Sequence, residues 1–386
     1  MSKLEELIQE LCPNGVKYDS LVNVCNITKG VQLNKDKLKD DGLYPVINGG
    51  INPSGYWDEY NFEAGLITIS QGGASAGYVN FIETPFWAGA HCYVVKSAKE
   101  YMDYKFVYYL FKHNEKKFME CQYGAGIPSL SMKTINDTKV PVPPIEVQSE
   151  IVRILDNFTL LTAELTAELT ARKEQYEYYR NELFNKSIGK KTTLGDICKF
   201  VRGPFGGSLK KEIFVKSGYA VYEQQNAIYN NLNFRYYVDE IKFNSMKRFE
   251  VYPGDLIMSC SGTIGRIMVI PTNSPRGIIN QALLKLTPID GVNSYYLKYV
   301  FDNYITAVMN ATSRGGALKN VPSVDVLKKI EIFLPSFEEQ QRIVELLDKF
   351  ESYCSDMTQG LPAEIELRKQ QYEYYRDKLL TFKELE

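Results

Sequence analysis

Nothing constrains this chain more than its own internal repeat. Ile151 to Phe158 (IVRILDNF) and Ile343 to Phe350 (IVELLDKF) agree at five of eight positions, and Arg172 to Arg180 (RKEQYEYYR) and Arg368 to Arg376 (RKQQYEYYR) at eight of nine. The first pair is offset by 192 residues and the second by 196, so the later copy carries four extra residues. A repeat of this period settles the architecture before any local element does.

Each copy has the pattern of a long helix, with apolar residues every three or four positions. The first stripe is Ile151, Leu155, Phe158, Leu161, Leu165, Leu169, Tyr176, Tyr179 and Leu183; the second is Ile343, Leu347, Phe350, Cys354, Met357, Leu361, Ile365, Tyr372, Tyr375 and Leu379. Two matching seams predict an antiparallel, coiled-coil-like pair. Pro362 removes a backbone donor just after Gly360, which predicts a kink or break near Gln359 to Leu361. Pro143-Pro144 and Pro335-Ser336 mark the helix starts, and Glu146, Gln148, Glu338 and Gln340 suit the positive end of a helix. Glu174, Glu177, Arg180, Glu373 and Arg376 read as outward charges repeated in both copies.

Upstream of each helix lies a stretch of short β-rich runs punctuated by Gly, Asn and Pro. These stretches also correspond. Leu21, Cys25, Lys29 and Gly30 parallel Leu194, Cys198, Arg202 and Gly203, while Leu66, Gly72 and Gly77 parallel Leu256, Gly262 and Gly265. The expected fold is α/β (α+β): two α/β domains separated by two long antiparallel helices, a pseudo-two-fold tandem duplication. The expected boundaries are 1–142 for the first domain with a short N-terminal helix, 143–190 for the central helical spacer, 191–334 for the second domain and 335–386 for the C-terminal helical region. At 386 residues more than one core is expected. The N-terminus then falls near the end of the last helix.

The net charge of −2 hides an asymmetry: Thr192 to Ile330 holds 17 Lys and Arg against 10 Asp and Glu, whereas Glu331 to Glu386 holds 7 against 13. One region is basic and another acidic, and a phosphate-binding surface needs such a local excess of Lys and Arg. Seven scattered cysteines without a C-x-x-C pair read as reduced packing residues. No apolar run approaches the ~20 residues of a membrane helix, and MSKLEELIQE is no signal sequence, so a cytoplasmic protein is expected.

Pro-Pro-Ile-Glu-x-Gln from Pro143, then Ile-Val-x-x-Leu-Asp, then RKxQYEYYR, together resemble the helical regions of type I restriction-modification specificity subunits. The resemblance spans the whole chain, and the run TAELTAEL (Thr162 to Leu169) is similar to a feature of that family's central spacer. The globular stretches match in layout alone. The resemblance implies a subunit without catalysis or cofactor that reads double-stranded DNA through two target-recognition domains, and that recruits methyltransferase subunits, two of them if the duplicated surfaces are used alike, and endonuclease-translocase subunits.

Catalytic patterns in the residues themselves fail. Gly73-Ala-Ser75-Ala-Gly77 fits a nucleophile elbow with Asp103 and His113 in hydrolase order, but the spacing is too short, and a glycine turn explains it. Asp103, Glu115 and Lys117 fit a nuclease-like pattern that the amphipathic segment from Tyr101 accounts for as a solvated helix face. There is no phosphate loop, no N-P-P-[FY] or D-P-P-[FY] tetrapeptide, and only two histidines for a metal. Two alternatives stay open: a coiled-coil adaptor that never reads DNA, or a DNA-modifying enzyme with its own active site.

The candidate DNA contacts are cations, amides and one imidazole beside turn residues: Lys29, Gln71, His91, Arg202, Lys210, Lys211, Gln224, Gln225, Arg235, Lys247, Arg248, Arg266, Arg276, Asn280, Gln281, Arg314 and Lys319. Arg pairs bidentately with guanine, and Asn or Gln with adenine. Tyr176, Tyr179, Leu183, Tyr372, Tyr375 and Leu379 are assigned to helix packing or subunit contact, because their spacing is helical.

Overall fold

The computed structural model describes residues 3–122, 128–185, 189–260, 263–312, 323–355 and 360–385. The chain divides into two compact units, Met1–Ala167 with Glu364–Glu386, and Glu168–Ala363. One helix, Ile145–Asn185, runs continuously across that division. The Thr162 to Leu169 run lies inside it: Thr162 Oγ1 donates to the Phe158 carbonyl at 2.8 Å and Thr166 Oγ1 to the Thr162 carbonyl at 2.7 Å, so the threonines satisfy their hydroxyls on the preceding turn.

The first unit is built on a four-stranded antiparallel sheet, in the order Cys25–Lys29, Cys92–Ala98, Leu66–Ser70, Val79–Ile82. A smaller sheet sets Tyr44–Ile47 antiparallel to Tyr56–Trp57 and parallel to Trp87–Ala88. A third pairing, Lys17–Ser20 with Lys139–Val142, closes the domain just before the long helix. The helix Tyr104–Glu120 buries Phe106, Leu110, Phe111 and Phe118 on the sheet. Ile151 and Leu155, from the start of the long helix, enter the same core, and so does Leu380 at the end of Leu361–Leu379. The chain ends meet within this unit, where Val16 N donates to the Lys383 carbonyl at 2.8 Å and Tyr18 Oη to the Phe382 carbonyl at 3.0 Å.

The second unit repeats that plan, with one more strand, Glu250–Val251, added to its smaller sheet. Its four-stranded sheet runs Cys198–Arg202, Leu283–Pro288, Leu256–Ser259, Ile267–Val269. Its smaller sheet again contains one parallel pair, Tyr219–Tyr222 with Gly277–Ile279, and Lys190–Thr193 pairs with Glu331–Leu334 as the closing strands. The helix Ser294–Thr312 packs Leu297 and Phe301 on the sheet, and Ile343 and Leu347 of Phe337–Ser355 join that core at the positions of Ile151 and Leu155. Phe337–Ser355 and Leu361–Leu379 are described as two helices, with Gly360 in a bend immediately before the second and Pro362 in its first turn, where a missing N–H is tolerated; Met357 and Gln359 lie outside the described residues.

The helix seams are aromatic. In the first unit Phe158 stacks on Tyr375, ring centroids 5.4 Å apart, and Tyr372 and Leu379 pack against the core. In the second, Tyr176 and Tyr179 both face Phe350 at 6.3 Å, and Leu183 packs on that unit's core. Arg180 and Arg376 correct the expectation of outward charge: their side chains are 13% and 17% exposed, each lying over its own tyrosine, Tyr176 at 5.6 Å and Tyr372 at 5.7 Å. The guanidinium plane covers the ring face and is thereby drawn down onto the helix. Six of the seven cysteines are buried and free, Cys121 alone being exposed. Burial pushes the Cys25, Cys92 and Cys198 thiols up to about 12, which suits packing residues. No described helix is long and apolar enough to cross a membrane.

Candidate nucleic-acid interface

In each unit the same three turns meet at one end of the four-stranded sheet. In the first, Gly30 N donates to the Cys92 carbonyl at 2.8 Å, Gln71 N to the His91 carbonyl at 2.8 Å, and Ser70 Oγ to the Gly49 carbonyl at 2.6 Å. This gathers Lys29, Gln71 and His91. Glycine is required at position 30 because a Cβ there would lie 2.2 Å from the Gly89 carbonyl oxygen. Lys29 and His91 are exposed, while the Gln71 Oε1 is buried and has no hydrogen-bond partner among the described residues.

The second unit repeats the junction with other side chains. Gly203 N donates to the Leu283 carbonyl at 2.9 Å, Cys260 N to the Ala282 carbonyl at 2.9 Å and Asn280 N to the Tyr222 carbonyl at 3.0 Å. Arg202, Asn280 and Gln281 stand around this junction, and the Asn280 Oδ1 accepts from Ala282 N at 3.0 Å, so that amide shapes its own turn. Arg202 is near enough to Cys260 to pull its thiol down slightly, although burial dominates and pushes it up to about 11.

The remaining candidates divide by what already holds them. Arg235 makes a two-pronged pair with the buried Glu223, at 2.9 and 3.0 Å, and Gln225 Nε2 also reaches that carboxylate, at 3.5 Å. Gln224 is half-buried in the same short helix. Arg276 and Lys247 both pair with Glu250, at 2.9 and 2.7 Å. Burial pushes the Glu250 carboxyl up, but hydrogen bonds from Lys247, Tyr252 and Arg276 outweigh it and leave it below the ordinary carboxylate range. Arg266 is exposed and lies near Asp302. By contrast Lys29, Arg202, Lys210, Lys211 and Arg248 are exposed and in no ion pair among the described residues. Arg314 and Lys319 lie outside the described residues. Of these five, Lys29 and Arg202 end the first strand of each four-stranded sheet, Lys210 and Lys211 follow in the loop after the second of them, and Arg248 lies apart in the turn Lys247–Phe249.

The residues of the failed catalytic patterns are engaged in structure. The Asp103 carboxylate caps Tyr104–Glu120 by accepting from Phe106 N at 3.0 Å, His113 meets Asp377 at 3.0 Å, and Glu115 accepts from Val79 N at 2.7 Å. Gly77 has φ +97° and lies against the Phe118–Met119 backbone, so it serves the turn between two strands. No group of three or more His, Cys, Asp or Glu suited to a metal is present among the described residues.

Sequence reasoning placed Gln148 and Gln340 at the helix starts but missed that they fasten each domain to its helix. Gln148 Nε2 donates to the carbonyls of Pro143 (2.7 Å) and Tyr101 (2.9 Å), and its Oε1 accepts from Asp103 N (2.8 Å). Gln340 does the same with Pro335 (3.0 Å), Gly291 (3.2 Å) and Asn293 N (2.8 Å). Their place in the repeated Glu-x-Gln string was the available signal; their burial, and hence their role, lay in the tertiary fold. It missed as well the tyrosines that complete the joint, Tyr109 on Asp156 at 2.5 Å and Tyr299 on Asp348 at 2.6 Å.

A family model, the type I restriction modification DNA specificity domain, matches residues 13–175 and again 189–367. The chain belongs to that family. A Haemophilus influenzae protein named as a type I restriction enzyme specificity subunit is 32% identical over 415 aligned residues, 98% of each chain. The EcoR124I/EcoR124II specificity subunit of Escherichia coli is 33% identical over 293 residues, 72% of this chain and 70% of that one. Among solved structures, the type I restriction-modification S subunit of M. genitalium superposes with a TM-score of 0.58 at 18% identity, covering 95% of this chain and 96% of that one. A chain from a type I restriction-modification system gives 0.60 at 17% identity over 96% and 98%. The duplicated domains are thus two specificity domains in one DNA-binding specificity subunit, and the duplicated α/β plan with its helices is the fold of this family.

Proposed function

We propose that each specificity domain reads one half of a split, asymmetric DNA site, that the chain holds methyltransferase and endonuclease-translocase subunits on its helices, and that it performs no chemistry itself. The observation that carries this is the pairing of one frame with two loop sets: the same junction presents Lys29, Gln71 and His91 in one unit and Arg202, Asn280 and Gln281 in the other. Lys29 and Arg202 stand at equivalent places, the other side chains differ in kind and in position on the shared frame, and different loop sets read different half-sites. Phosphate contacts from the unpaired cations supply most of the affinity, and a few groove contacts the choice of sequence. Functionally the chain is taken as readers at 1–142 and 191–334 and helical regions at 143–190 and 335–386, with two methyltransferase subunits bound to the repeated helical surfaces. The cytoplasm, where DNA and these partners are found, is its proposed location.

The test is domain exchange. Replacing residues 192–330 with the corresponding domain of another family member, and mapping methylated sites in cells that carry the partner subunits, changes one half-site and keeps the other. A hybrid that alters both halves together refutes independent reading. Turnover by the purified chain free of partners refutes the non-catalytic assignment, and a saturated one-to-one complex by native mass measurement refutes two methyltransferase subunits.

A further inference from the structure

One loop of the second unit displays an apolar side chain where the fold gives it nothing to cover. After the strand Cys198–Arg202 the chain passes Gly203, where a Cβ would lie 1.9 Å from the Asn280 carbonyl oxygen, and buries Pro204. Phe205 then stands 93% exposed, more than any other large apolar side chain among the described residues. Its carbonyl accepts from Ser208 N at 2.8 Å, closing a single tight turn, and Leu209 returns to a buried cluster with Val221 and Phe243. A Cβ on Gly206 or Gly207 would meet nothing within 4 Å. The ring is therefore presented on a crown whose two feet, Pro204 and Leu209, are both buried. Arg202, Lys210 and Lys211 flank it, exposed and in no ion pair among the described residues, against the single anion Glu212. The matching loop of the first unit has no aromatic: Val31 follows Gly30, its N–H bonded to the Ala88 carbonyl at 2.8 Å.

We infer that Phe205 is a wedge that enters the base stack at one step of the half-site read by the second domain, while Arg202, Lys210 and Lys211 hold the neighbouring phosphates. The inference rests on the DNA reading proposed above. An aromatic face stacks on any base, and apolar wedges unstack duplex steps at a cost that depends on the step. Pyrimidine–purine steps open most easily, so the wedge adds selectivity at a step where the protein forms no hydrogen bond. The cationic setting favours nucleic acid over an apolar protein recess.

The experiment uses the full-length chain, alone and assembled with its methyltransferase subunits, on a duplex recovered from a random pool by the wild type. 2-Aminopurine is placed at successive steps of the half-site assigned to the second domain. Wild type raises the fluorescence at one step, and Phe205→Ala abolishes that rise and weakens binding about 10- to 100-fold. The slope of log affinity against log salt stays unchanged, because a ring releases no counterions. Phe205→Trp restores both signals, whereas Lys210→Ala with Lys211→Ala keeps the fluorescence rise and lowers the salt slope by about two. Wild-type affinity and fluorescence in Phe205→Ala overturn the wedge alone, as does loss of methyltransferase binding with DNA binding intact, which makes the loop a protein contact. If the wild type itself selects no sequence from the pool, the DNA reading falls and the wedge with it.

Discussion

Replacing Gln148 or Gln340 tests whether each domain is fastened to its helix by hydrogen bonds or by packing. Gln148 is fully buried and makes three bonds to backbone groups on two segments. In Gln148→Ala the buried Pro143 carbonyl and the Asp103 N–H lose their partner, while the Tyr101 carbonyl can turn to water because Tyr101 is exposed. Two orphaned groups at roughly 1–3 kcal/mol each give a loss of about 3 kcal/mol. For a body of this size that lowers the melting temperature by about 6–12 °C. Differential scanning calorimetry of the full chain reads it: Gln148→Ala lowers the transition of the first unit, and Gln340→Ala that of the second. Gln148→Met, which keeps the volume but not the bonds, falls almost as far. Full recovery by methionine refutes the argument, since it would mean that filling the site, not pairing the backbone, holds the joint.

Three further outcomes follow from single features. Asp302 is pushed up to about 6, by burial first, with Lys298 acting against it; a raised acid is stable when protonated, so stability falls as pH rises from about 4 through 6. Asp302→Asn therefore matches wild type near pH 4 and gains about 1 kcal/mol at pH 7, after allowance for water reaching the side chain; equal urea midpoints at both pH values refute this. Gly203→Ala forces a Cβ into the Asn280 carbonyl and costs about 2 kcal/mol or more, whereas Gly206→Ala in open space changes stability by under about 1 kcal/mol; thermal melts of the pair show whether the close approach is real. A third TAEL unit after Leu169 lengthens the helix by about 6 Å and moves the half-sites apart by about one or two base pairs with unchanged sequences; methylome mapping that shows the same spacing rules out this helix as the spacer.

The duplication and the helices were legible because they are periodic, and period survives without tertiary information: the Ile151 and Ile343 stripes predict two seams, and the structure has them. Gly360 and Pro362 predict a break near Gln359 to Leu361, and the described part of that stretch has Gly360 in a bend with a helix starting at Leu361. The interface was legible only by residue type. Arg235 and Arg276 carry the same charge in sequence as Arg202, and only the fold reveals that Glu223 and Glu250 already hold the first two. Both carboxylates are buried and reach their arginines across 12 and 26 residues, a separation no local pattern encodes. Phe205 was invisible for the opposite reason: an apolar residue near Gly and Pro reads as a core anchor until its exposure is known.

The two halves of this one chain also show where change is tolerated. Gln148 and Gln340, Asp103 and Asn293, Tyr109 and Tyr299, Asp156 and Asp348 keep the same bonds in both units. Gln148 and Gln340 are each buried and held by three backbone partners at once, so substituting either orphans buried backbone groups, and drift there is costly. At the sheet end the pairs diverge: Tyr78 lies beneath Lys112 at 4.9 Å, where the second unit has Arg266 near Asp302. His91 is matched by Ala282, and Val31 by the stretch that carries Phe205. His91, Val31 and Phe205 are exposed, so changing their side chains leaves folding almost untouched and is felt chiefly by whatever binds the loops. A joint held by buried hydrogen bonds on the helix side and exposed loops on the other would allow a duplicated domain to change what its loops bind without losing its fold, which is the physical ground for the proposal that the two half-sites differ.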